Sequence, residues 1–216
     1  MATLEHWLTD SGGRLRKRRF AVILMGWYVF FSVTYLASNA FSDGRAAYTL
    51  FLPGEEQIPF VPIFEYLYVL TYFIPALLLV TIRDYRSYRH LARAYALTLL
   101  VAYSTFLVFP VSVPHPNLEV TSFHTWLLSI EYLDKPYNAF PSLHVASSWL
   151  VVFASSVSRR SRLGLGVVAA GISISTVFVK QHYIADVLYG GVLAWIAWRL
   201  GSRDAGSHEC SRASVR

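Results

Sequence analysis

Hydrophobic residues run along this chain in long uncharged blocks separated by short polar turns. The first block extends from Phe20 to Ala40 without a charged side chain, enough α-helix to cross a hydrocarbon core roughly 30 Å thick. Comparable blocks lie at roughly 63–82, 94–110, 142–158, 163–180 and 183–200, so the pattern predicts six transmembrane spans. Span 2 carries Glu65 near its outer end and Pro75, which predicts a kink. Span 5 is rich in Gly and Ala, and span 6 contains Tyr189-Gly190-Gly191, so both can approach a neighbouring helix closely. The loop over 41–62 holds Pro53, Pro59 and Pro62 with Glu55 and Glu56.

The longest segment between spans is 111–141. Pro114 and Pro116 break its start, and Phe123, Trp126, Leu127, Ile130 and Leu133 then recur at helical spacing. That run is too short to span and predicts a helix lying at the membrane interface before span 4.

Composition agrees with burial in lipid. Of 216 residues, 55% are hydrophobic and 15% charged, against about a quarter charged in soluble domains. The net charge of +6 would suit nucleic acid, but its distribution points to topology. Every Lys and Arg except Arg45, Lys135 and Lys180 lies in the arm before span 1, the 83–93 turn, the 159–162 turn or the C-terminal end. This asymmetry places both termini in the cytoplasm. The expected fold is therefore an all-α membrane protein with six transmembrane helices. It divides into a basic cytoplasmic arm (1–19), a catalytic membrane domain (20–200) and a disordered cytoplasmic tail (201–216). The single Cys210 excludes an intrachain disulfide and a cysteine metal site. The first block lacks a small-residue cleavage pattern and reads as a retained span.

The same topology puts two histidines at one depth on the outer face. His144 opens span 4 within Asn138-Ala139-Phe140-Pro141-Ser142-Leu143-His144, and His182 lies in the turn between spans 5 and 6. Asp186 follows His182 by four residues, on the same helical face. A neutral imidazole can attack phosphorus, and a second can protonate a leaving oxygen. His182 with Asp186 supplies the nucleophile and a carboxylate to fix its tautomer, and His144 can be the acid. Ser142 is positioned to cap the helix start, leaving free amides for an anion. Lys180 and Lys135, each near one motif, are candidates to neutralise phosphate. Each residue also has a plainer use: a surface histidine, an i,i+4 pair, a cap, a snorkelling lysine. The combination at one depth favours chemistry.

These residues resemble the signatures of the type 2 phosphatidic acid phosphatase superfamily. Pro141-Ser142-Leu143-His144 is similar to its second signature, usually Pro-Ser-Gly-His, and His182 and Asp186 match the His and Asp of its third. Asn138-Ala139-Phe140, Leu143 and Gln181-His182-Tyr183 resemble the branch containing fungal inositol phosphorylceramide synthase, as does Phe109-Pro110 followed by Pro114. The resemblance implies a metal-independent phosphohydrolase or phosphotransferase that needs no cofactor. In it His182 forms a phosphohistidine, Asp186 orients it, His144 protonates the leaving group and Ser142 touches phosphate. Two family cations are missing: nothing between 103 and 120 is Lys or Arg, and Thr176 stands where an Arg is usual. Lys180, Lys135 and His115 are the available substitutes.

The expected substrate is a lipid phosphate ester or diphosphate, with water or a lipid hydroxyl as acceptor and no nucleic acid partner. The expected place is a bacterial plasma membrane, with the site facing the extracytoplasmic side. Two other readings remain at this stage: a metal-dependent membrane hydrolase using His144, His182 and Asp186 as ligands, and a non-enzymatic scaffold or transporter.

Overall fold

The structure is a computed structural model that describes residues 2–202, with side chains from residue 4 onward. The expected tail lies outside the described residues, apart from Gly201 and Ser202, which end the last helix. The described residues are helical, with no β-strand among them.

A short helix, α1 (Ala2–Leu8), opens the chain. The basic arm then folds back instead of trailing away: Leu15 donates its amide to the Arg83 carbonyl at 2.9 Å. Leu8, Leu15 and Phe20 are buried in one cluster with Ile82 and Leu91. Helix α2 (Lys17–Ser42) follows. Only 6% of its most apolar stretch is buried, so its hydrophobic faces point outward, as a lipid-facing helix requires.

The second apolar block is one element, Pro62–Thr81, built in pieces. It comprises a 3₁₀ turn (Pro62–Phe64), α3 (Glu65–Tyr68), a second 3₁₀ stretch (Val69–Phe73) and α4 (Ile74–Thr81). The irregularity expected at Pro75 falls just before it. The chain tightens into 3₁₀ geometry, and Pro75 occupies the first turn of α4, where its missing N–H costs no helical hydrogen bond.

Helix α5 (Tyr85–Val108) corrects the expected turn at 83–93. Asp84 caps it by accepting the Ser87 amide at 2.8 Å, so the helix begins well before the apolar block. Burial opposes ionisation of Asp84, but hydrogen bonds from the Ser87 amide and hydroxyl and from Ser156 hold its carboxyl below the usual range.

The short helix expected after Pro116 is α6 (Phe123–Glu131), closed at its start by a capping box between Ser122 and Thr125. Next come α7 (Leu143–Ala154), α8 (Arg159–Phe178) and α9 (Ile184–Ser202). Among the described residues, five elements are long and apolar enough to cross a membrane: α2, Pro62–Thr81, α5, α8 and α9. Helix α7 has only 12 residues, about 18 Å of rise, well short of the expected 142–158.

Its burial explains the difference. Helix α7 is the hub of the bundle, packed against α4, α5, α8 and α9, and Leu143, Val145, Ala146, Leu150, Val151 and Ala154 are all buried. Helix α9 approaches it through Gly190, where a Cβ would meet the Ser142 carbonyl oxygen at 2.6 Å. Farther along, Gly201 lets α9 cross α5, where a Cβ would lie 3.2 Å from both the Ala94 nitrogen and the His90 oxygen.

Candidate active site

The site forms where the start of α7 meets the turn between α8 and α9. Ser142 caps α7, its hydroxyl oxygen accepting the Val145 amide at 3.4 Å, and its own amide donates to the Asp186 carbonyl at 3.1 Å. The α8–α9 turn is drawn tight by Thr176, whose carbonyl accepts the amides of Gln181 (3.0 Å) and His182 (3.1 Å). Helix α9 is capped by two carboxylates. Asp186 accepts the Tyr183 amide at 2.9 Å, and Glu55 accepts the Ile184 amide at 2.6 Å. Acidic groups are favoured there because the first amides of a helix lack partners and carry partial positive charge.

These supports bring His144, His182 and Asp186 into one hydrogen-bonded row. His182 Nδ1 lies 3.4 Å from Asp186 Oδ2, His182 Nε2 lies 3.2 Å from His144 Nδ1, and His144 Nε2 lies 3.1 Å from the Tyr68 hydroxyl. A carboxylate can only accept, which assigns the other hydrogens in sequence. His182 Nδ1–H donates to Asp186, so His182 Nε2 holds a lone pair. His144 Nδ1–H donates to that lone pair, and the Tyr68 O–H donates to His144 Nε2. Asp186 is fully buried and its Oδ1 has no partner. His182 is 5% exposed.

Two cavities that share Tyr35, Asp134, His144 and Gln181 in their walls reach this row. A small one, about 20 Å³, is lined by His115, Lys135, Asn138, Gln181, His144 and His182. The larger one, about 300 Å³, runs inward between α2, α4, α5 and α7 along Phe20, Leu24, Trp27, Leu78 and Leu91. Its polar end is formed by Tyr35, Tyr72, Glu131, Asp134, His144 and Gln181. The arrangement therefore combines an apolar cavity with paired imidazoles beside its polar end.

The expected phosphate ligands occupy different places. Ser142 is fully buried at the α7 cap. His115 lines the small cavity, stacked on Tyr132 at 4.0 Å. Burial lowers its pKa, and a hydrogen bond with Gln181 opposes that shift. Lys135 lines the same cavity, but its amine pairs with Asp43. Lys180 turns its amine away to the Ile58 carbonyl at 2.7 Å. Arg45, the remaining outer-side cation, donates to the Leu107 carbonyl at 2.7 Å. Among the described residues, no group of three or more His, Cys, Asp or Glu side chains stands close enough together to hold a metal ion.

Several contributors went unread in the sequence. Tyr68 had no signal beyond lying on an apolar span, and its distance from His144 along the chain hides the contact. Glu55 looked like an ordinary loop acid. Glu131 and Asp134 sat in the interfacial segment without a motif. Burial raises the pKa of both Glu131 and Asp134. Hydrogen bonds oppose the rise, from Tyr72 to Glu131 and from Tyr35, the Lys135 amide and Asn39 to Asp134.

A helical bundle with membrane-length apolar elements and a buried imidazole pair beside an apolar cavity fits an integral membrane protein. The chain belongs to the PAP2 superfamily, whose sequence model matches residues 41–200. Among solved structures it is similar to Aquifex aeolicus LpxE, with 17% identity over 77% of this chain and 93% of that one and a TM-score of 0.46. Comparison with curated proteins yields no match.

Proposed function

We propose that this protein cleaves a lipid phosphate ester or diphosphate through a phosphohistidine on His182. It then passes the phosphoryl or phosphoalcohol group to water or to a lipid hydroxyl. The observation that carries this reading is the row Asp186–His182–His144–Tyr68, with a lone pair on His182 Nε2 facing His144. In the reaction, substrate replaces the His182–His144 hydrogen bond. With His144 as the imidazolium, its second proton taken up on Nε2 as the phosphate binds, His182 Nε2 attacks phosphorus, the bond from phosphorus to the leaving oxygen breaks, and that oxygen takes the Nδ1 proton, leaving His144 neutral with Nε2–H. Asp186 stabilises the positive charge that develops on the His182 ring. The acceptor hydroxyl then attacks, returns a proton to His144, and the phosphorus–nitrogen bond breaks to restore His182. These steps use no metal.

Ser142 and His115 are the proposed phosphate contacts, while the Lys135 and Lys180 amines stay with Asp43 and the Ile58 carbonyl. The six-span topology is part of the proposal. Helix α7 counts as the fourth crossing, completed by the chain at both its ends, with α6 at the interface and the histidines on the extracytoplasmic side of a bacterial plasma membrane. The arm (1–19) and tail (201–216) lie in the cytoplasm. Leu143 in place of the usual Gly, and Asn138-Ala139-Phe140 before it, support the branch that includes inositol phosphorylceramide synthase, and with it transfer as well as hydrolysis.

The test is purified protein in neutral detergent, given a panel of phospholipids and lipid diphosphates and assayed for free phosphate and for transferred headgroup. His182→Ala is expected to lose turnover by at least about a thousandfold, as loss of an essential nucleophile does. Turnover retained in His182→Ala would remove the mechanism.

A further inference from the structure

The polar end of the large cavity has an unusual charge. A site for phosphate needs positive charge, yet each outer-side cation is held elsewhere: Lys135 by Asp43, Lys180 by Ile58 and Arg45 by Leu107. Carboxylates occupy the rim instead. Glu131 accepts from the Tyr72 hydroxyl. Asp134 accepts from Asn39, from the Lys135 amide and from the Tyr35 hydroxyl. Among the described residues neither forms an ion pair. Glu65, fully buried, stands within electrostatic reach of Glu131 and leaves both carboxylate oxygens without a partner.

A second observation points the same way. Asn138 lines the neighbouring cavity with Asp134, Tyr35 and His144, is 5% exposed, and has a side-chain oxygen with no partner. Its amide nitrogen is already committed to the Tyr35 carbonyl (3.0 Å) and the Ser38 hydroxyl (2.9 Å). The free position is thus an acceptor, like the carboxylates beside it. The rings of Tyr35 and Tyr72 complete the wall, and aromatic faces attract cations.

We propose that Glu131, Asp134, Asn138, Tyr35 and Tyr72 form a subsite for a cationic amine, so that the lipid substrate carries an ammonium group a few atoms from its phosphorus. Phosphoethanolamine- and phosphocholine-type headgroups have this form. Such a substrate brings its own positive charge to a site whose lysines and arginines are engaged elsewhere. A neutral polyol could hydrogen-bond to the same oxygens but would leave two carboxylates facing the cavity without a counter-charge, which costs free energy away from bulk water. The proposal rests on the functional reading above in assuming that phosphate sits at the histidines.

The test separates the two. Full-length protein carrying His182→Ala, in neutral-detergent micelles, is titrated with hexadecylphosphocholine, hexadecylphosphoglycerol and hexadecylphosphoinositol, and binding is followed by tryptophan fluorescence. The three share chain and phosphate, and binding needs no turnover. The phosphocholine compound is expected to bind at least about tenfold tighter than the other two, a factor of about 1.4 kcal/mol. Adding Glu131→Gln and Asp134→Asn should abolish that preference while changing the affinity for hexadecylphosphoglycerol less than about threefold. Melting temperature without ligand checks that the variant is folded, and Glu131→Gln and Asp134→Asn made singly serve if the pair is not. Equal affinities, tighter binding of the glycerol or inositol compound, or a preference that survives neutralisation of both carboxylates would overturn the subsite. A preference of the expected size with no phosphate cleavage by the enzyme carrying His182 would leave the subsite standing and sink the functional reading.

Discussion

Tyr68 is the residue whose role is most sharply set by geometry. Its hydroxyl reaches His144 Nε2 at 3.1 Å from an otherwise apolar span. In the proposed reaction His144 acts as an imidazolium, and the Tyr68 oxygen accepts its Nε2–H and holds the ring while Nδ1 gives up its proton. Tyr68→Phe leaves the buried His144 Nε2 without its partner, worth about 1–3 kcal/mol. We expect kcat to fall about ten- to a hundredfold with KM little changed, measured with the preferred lipid. A fall in apparent affinity with kcat intact would instead make Tyr68 a wall of the cavity. None of this was readable from the sequence, because a tyrosine on an apolar helix is ordinarily a core or interface residue. The grouping of His144, His182 and Asp186 was readable, because the two residue types lie at a fixed spacing at the ends of neighbouring apolar blocks. Lys180 and Lys135 show the limit of proximity in sequence: each lies beside a motif, yet their amines are bonded to Ile58 and Asp43.

At the scale of elements, the site depends on how closely α9 approaches α7. Gly190 lies one turn beyond Asp186, and a Cβ there would meet the Ser142 carbonyl oxygen at 2.6 Å and Val145 Cβ at 3.3 Å. Backbone cannot yield as a side-chain tip can, so Gly190→Ala must push the helices apart. Overpacking of this kind costs about 1–3 kcal/mol, against a gain of up to about 1 kcal/mol in helix propensity. The expected result is a lower melting temperature and a loss of activity of about a hundredfold, since a shift of about 1 Å at a catalytic pair is enough for that. Gly191→Ala is the control, because a Cβ there meets nothing within 4 Å. The sequence marked the glycine pair as a helix contact but could not tell which glycine touches. It also overran α7, since an apolar block gives no sign of where a helix ends when the segment is buried on every side.

For the whole molecule, the question is which face of the membrane the site addresses. In the proposed topology the basic residues lie almost wholly on the side opposite the histidines, with both termini inside. Cys210 is the only cysteine, so a membrane-impermeant thiol reagent applied to intact cells should leave the protein unlabelled until the cells are opened. With Glu119→Cys introduced into the segment between α5 and α6, labelling should occur in intact cells. The reverse pattern would turn the proposed topology over. The docking of Leu8 and Leu15 against Phe20 and Ile82 adds a constraint that charge counting could not supply, because two leucines in a basic arm carry no periodic signal.

The sequence by itself determined the helical membrane class, most of the apolar elements and the three residues of the imidazole–carboxylate group. Each of these follows from local rules: the length of an apolar run, the uneven placement of charge, and the spacing of titratable side chains. Only the tertiary structure decided what surrounds that group. It brought Tyr68 to His144, used Glu55 to cap α9, turned the outer cations to other partners and lined the cavity with Glu131 and Asp134. Those relations join residues far apart in the chain, and their physical basis is packing and hydrogen bonding around a short buried helix, which no pattern along one strand of sequence encodes.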